Sequence, residues 1–94
     1  MHFTLLGKRW QLLYTSKFDK PDTIGECDPP DRVNKAIRIK RRLSPEVELD
    51  TIIHECLHAA AWHMFDEQYV TQAAADIARL LIRLGWRNDG SGET

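Results

Sequence analysis

Thr51–Phe65 reads TIIHECLHAAAWHMF, and what this stretch forms decides how the rest of the chain must be arranged. Inside it stands His54-Glu55-Cys56-Leu57-His58. Residues four apart on an α-helix lie about 40° apart around the axis and roughly 6 Å along it. Both imidazoles therefore share one helical face, with Glu55 projecting beside them. Apart from Cys56, the ionisable side chains of the stretch are His54, Glu55, His58 and His63, set among Ile, Leu, Ala, Trp, Met and Phe. A helix apolar almost all round is normally buried. Buried imidazole and carboxylate groups cost a few kcal/mol each unless something pairs with them. A tetrahedral Zn²⁺ would satisfy the two His and give the Glu a task. The plainer alternative is two core histidines and a glutamate bonded locally. The odds of meeting such a string by chance in a chain of this make-up, roughly one in a hundred, favour the metal.

The helix has a clear start. Ser44-Pro45-Glu46 supplies an N-cap and a proline for the first turn, and Glu46, Glu48 and Asp50 complement the N-terminal dipole. The helix is predicted from Pro45 to about His63. Met64–Asp66 turns the chain, with Asp66 as N-cap of a second helix. Val70, Ala73, Ala74, Ile77, Ala78, Leu80, Leu81 and Leu84 follow helical spacing there, and Leu84-Gly85 ends it.

The first half reads as strand. His2–Leu6 and Arg9–Thr15 form a hairpin about Gly7-Lys8, with Trp10, Leu12 and Tyr14 on one face. Lys17–Asn34 is a long loop centred on Cys27 and Pro29-Pro30, stiff enough to line a cleft. Lys35–Leu43 alternates, with Ile37 and Ile39 inward and Arg38 and Lys40 outward, as a charged edge strand would. The expectation is an α+β fold: a small antiparallel sheet (a hairpin plus one further strand) followed by two packed helices. A single domain is expected over 1–87, with 88–94 as a flexible tail.

A catalytic zinc takes three protein ligands and leaves one position to water. His63, Asp66, Glu67, Asp76 and Cys27 are the candidates for the third. His63 lies about 140° around the helix from His58, too far to share its ion. In a tight helix hairpin turning near Phe65, Gln72 lies level with His58 and Asp76 with His54. Asp76 is thereby the first choice, as third ligand or as acceptor of the other ring N–H of His54. Glu67 is the second; the helix dipole alone would explain an acid at that position.

Composition narrows the setting. A net charge of −1 argues against a general nucleic-acid or membrane binder. No apolar run approaches the roughly 20 residues of a membrane span, and Met1-His2-Phe3 does not open a signal peptide. Two cysteines, Cys27 and Cys56, make no disulfide framework, so a reducing, cytoplasmic setting is expected.

The HECLH string in an apolar helix resembles the active-site helix of the zincin metallopeptidases, in a minimal form like the small HExxH proteins of phages and bacteria. The resemblance covers the second half of the chain better than the first. It implies His54 and His58 as zinc ligands, Glu55 as general base, and a peptide or protein substrate. The longer metzincin pattern is absent, with Ala61 and Met64 where it needs Gly and His. The thermolysin-like E-x-x-x-D is met only as Gln72-x-x-x-Asp76. In zincins an edge strand beside this helix pairs with substrate, which points to the strand 35–43 and gives Arg38 a role in attracting an acidic peptide. Two other readings stand beside the peptidase. One is a zinc-stabilised binding module without catalysis; the other is a DNA-associated protein using the basic run 35–42.

Overall fold

The computed structural model describes residues 1–62 and 66–88 of the chain. Its elements are β1 (His2–Leu5), β2 (Lys8–Thr15), β3 (Gly25–Cys27), β4 (Ala36–Lys40), α1 (Pro45–Ala60) and α2 (Glu67–Arg83). The fold is α+β, a four-stranded sheet followed by two packed helices.

The hairpin forms one residue earlier than Gly7-Lys8. Leu5 pairs with Lys8, and Leu6 and Gly7 make the turn at positive φ, 50° and 76°. Two such residues in a row match the twist of a two-residue β-hairpin. Trp10, Leu12 and Tyr14 are buried on one face, as their alternation requires.

The sheet differs from the wholly antiparallel one expected. Its order is β1-β2-β4-β3, with β2 and β4 parallel. A parallel pair needs a long crossover, and the segment from 16 to 35 supplies it without a helix. On its way it adds a strand, β3, antiparallel to β4 on the far side. Asp28 pins the return. Its buried carboxylate accepts from the Ala36 backbone N–H at 2.9 Å and from the guanidinium groups of Arg32 and Arg38 at 3.1 and 2.8 Å. The strand read from sequence as an edge is therefore central, and β3 is the edge beside α1.

α1 begins where expected, with Ser44 at the N-cap position and Pro45 following, although the Ser44 side chain makes no cap bond. It packs on β3 and β4 through Ile52, Cys56 and Ala59, over Ile37 and Ile39, and also against α2. Contact on more than one side is why its sequence is apolar nearly all round. α2 buries only Val70, Ala74 and Ala78; Ile77, Leu80 and Leu84, assigned by spacing to the same face, are exposed. Small residues at i, i+4 and i+8 let the two helix backbones approach closely. Among the described residues no helix is long and apolar enough to cross a membrane.

Candidate metal centre

α1 stops at Ala60, where the Ala61 N–H still bonds to the Leu57 carbonyl. The chain then returns, and Asp66 starts α2 by accepting from the Tyr69 N–H at 2.7 Å. Glu67, the first residue of α2, comes to lie against His54 and His58. Its two carboxylate oxygens stand 2.9 Å from His54 Nε2 and 2.9 Å from His58 Nε2, and the two Nε2 atoms are 3.2 Å apart.

With Glu67 ionised, protons cannot satisfy this triangle. Each Nε2 carries either a hydrogen or a lone pair. If both carry hydrogens, both bond to Glu67 and the nitrogens oppose each other. If one carries a lone pair, it accepts from the other ring and then opposes the carboxylate. At most two of the three contacts are favourable. A cation among the three atoms makes all three favourable. With zinc-to-nitrogen and zinc-to-oxygen bonds of about 2.0–2.1 Å, tetrahedral geometry spaces donors roughly 3.3 Å apart. The observed separations are close to that, so the residues fit a zinc-sized ion.

Glu55 stands beside this group without joining it. Its side chain is buried and makes no hydrogen bond among the described residues. Burial first, then the Glu67 and Glu26 charges, push its pKa from 4.5 up to about 7. The carboxylate lies directly over β3 at Gly25. A Cβ at that glycine would come 2.5 Å from Thr51 Cγ2 and 3.2 Å from Glu55 Oε2. A hollow of about 360 Å³ opens here, walled by Thr23–Gly25, by Asp50, Thr51, His54 and Glu55 of α1, and by Thr71 of α2.

No family model, curated protein or solved structure matches the chain. The residues themselves must carry the argument.

Asp76 is not in the group. It accepts from Gln72 at 3.0 Å and Arg79 at 3.1 Å on the exposed side of α2. The hairpin register assumed a turn near Phe65. Because α1 ends at Ala60, the first turn of α2 falls beside His54 and His58, and Asp76 lies roughly 13 Å further along the helix. Asp66 is used as a cap, and His63 lies outside the described residues.

Cys27 is not in the group either. It packs against the core with its thiol donating to the Asp28 carbonyl, and burial together with the Glu55, Asp28 and Cys56 charges pushes its pKa up to about 12.

Arg38 is held by Asp28 and lies near Glu26, on the opposite sheet face from Ile37 and Ile39 and hence from α1. It does not reach the hollow. β4 is enclosed between β2 and β3, so it has no free edge at which a strand could add. Two tyrosines could by type donate to an oxyanion, and Tyr14, one of them, is buried and donates to Glu48. Tyr69 follows Glu67 by two residues, about 200° around the helix. Gly25 and Asp50, which shape the hollow, had no distinguishing signal in the sequence, being one glycine of a loop and one acid near a helix start.

Proposed function

We propose that this chain is a zinc-dependent endopeptidase, with His54, His58 and Glu67 holding the ion and Glu55 acting as general base. The observation that carries the reading is the division of labour among four clustered side chains. Three converge on one point, while a fourth, buried and without a hydrogen bond, is left facing an open hollow.

When bound, a zinc ion supplies acidity to a coordinated water and polarises a carbonyl group. The chain's own groups do the rest. His54 and His58 are fixed one turn apart on a packed helix. Glu67 ties them to α2. Glu55, with a pKa near neutrality, can accept a proton and return it to a leaving amine. The β3 edge, beside α1 and lining the hollow at Gly25, offers backbone groups for an extended peptide.

A zinc-stabilised module without catalysis remains the competing reading, because an ion joining α1 to α2 would add folding energy. Structural sites normally gather four protein donors; three gather here among the described residues. A structural site also has no use for Glu55. The test is Glu55→Gln, nearly isosteric and equally helical. Zinc content should be unchanged, while cleavage of an unstructured protein should fall by roughly 10²–10⁴-fold. Equal cleavage by wild type and variant would refute the assignment of Glu55. Failure of both to cleave, with zinc retained, would favour the structural module.

A further inference from the structure

The hollow beside the metal group contains one charged side chain that the proposed chemistry does not use. Asp50 precedes His54 by four residues, so it stands one helical turn away on the same face of α1 and lines the hollow with it. It is half-buried, and its carboxylate has no hydrogen bond or ion pair among the described residues. Burial holds its pKa above the ordinary value; His54 draws it down, Glu46 pushes it up and Arg79 draws it down. Arg79, the cation nearest in effect, is itself paired with Asp76 at 3.1 Å. The buried carboxylates among the described residues each have a partner or a proposed task. Asp28 has Arg32, Arg38 and a backbone N–H; Glu48 has Tyr14 and Asn88; Glu55 lines the hollow as the proposed base.

The walls suit one kind of occupant. Ile24 on the loop side and Val47 on α1, both partly exposed, offer apolar surface on the way to Asp50. Thr71 of α2 adds a hydroxyl. A long aliphatic stem ending in a cation would bury its methylenes against the first two and set its charge on the third. The volume, about 360 Å³, is ample for one such side chain.

We infer that this hollow is the recognition pocket for a lysine or arginine side chain of the substrate, with the Asp50 carboxylate as its counter-charge. The inference rests on the peptidase reading for its meaning, but its binding test does not need cleavage. It places a basic substrate side chain at this hollow, on the sheet face away from Arg38.

The probes are short alanine–serine peptides carrying a single lysine, and a matched set with norleucine, which keeps the stem and removes the charge. Binding is measured to the zinc-loaded Glu55→Gln protein, with and without Asp50→Asn. Lysine peptides should bind roughly 10–100-fold more tightly than norleucine peptides, as a desolvated charged hydrogen bond provides. Asp50→Asn should bring that ratio close to one. In wild-type digests of an unstructured protein, lysine or arginine should recur at one fixed position relative to the cut.

Equal binding of the two peptide sets would overturn the inference, and so would cut sites indifferent to basic residues. A lysine preference that survives Asp50→Asn, with zinc lost instead, would make Asp50 a partner of His54 and overturn it too. A lysine preference in binding without any cleavage would leave the pocket standing and remove the peptidase.

Discussion

Two glutamates on α1, Glu48 and Glu55, are both buried and lie two turns apart, yet their surroundings differ completely. Glu48 accepts from the Tyr14 hydroxyl of β2 and, at 2.7 Å, from the Asn88 amide. One carboxylate there joins sheet, helix and the residues after α2, including Asn88, the first residue of the expected flexible tail. Glu55 accepts no hydrogen bond among the described residues, faces a hollow and has its pKa pushed up to about 7. A buried carboxylate with its bonds satisfied is explained by folding. One that faces a cavity instead, and that burial makes slow to give up its proton, is placed for chemistry.

Glu48→Ala removes the acceptor shared by Tyr14 and Asn88 inside the fold. The loss should be about 2–4 kcal/mol, read as a drop in the denaturant midpoint, with zinc content intact at temperatures where the protein stays folded. A drop under about 0.5 kcal/mol would mean that the network is ornamental and the contrast with Glu55 false.

Glu55 should behave in the opposite sense, and pH reveals it. Between 4.5 and about 7 the unfolded chain has released this proton while the folded one has kept it. More protons are then bound by the folded state, so its stability falls as pH rises through that window and levels off above it. The total is about 3 kcal/mol for zinc-free protein. Glu55→Gln should abolish this component, so the stability gap between wild type and variant changes between about pH 5 and about pH 8. A gap independent of pH would show that Glu55 is not strained by burial.

The smallest expected effect is at Gly25. A methyl group there meets Thr51 Cγ2 at 2.5 Å, so Gly25→Ala should cost about 1–3 kcal/mol as overpacking and displace Glu55. An unchanged melting temperature would mean that β3 has room to move away from α1.

Much of this was legible in the sequence, for physical reasons. Trp10, Leu12, Tyr14, Ile37 and Ile39 alternate strongly enough to define one sheet face, and the apolar stretch around His54 demands a helix with neighbours on more than one side. The parallel pairing of β2 with β4 was hidden because it depends on β3. Three residues, Gly-Glu-Cys, are too few to show a period, and their strand exists only because β4 lies alongside. The sequence points to Asp76 before Glu67 because the pairing of two helices depends on where the first one ends. Ala60 carries no glycine or proline signal to mark that end. Each residue of error there moves the facing position on α2 by about two. Asp50 was explained by the helix dipole, which accounts for an acid near the start of α1 but not for one facing a hollow.

The central claim is that His54, His58 and Glu67 hold a zinc ion that Asp76 does not touch. Titration of zinc into metal-free wild type, Glu67→Ala and Asp76→Ala tests it directly. Wild type should bind about one ion per chain, Glu67→Ala should bind more than roughly 100-fold more weakly, and Asp76→Ala should match wild type. Strong zinc binding by Glu67→Ala, or its loss in Asp76→Ala alone, would contradict the site described here.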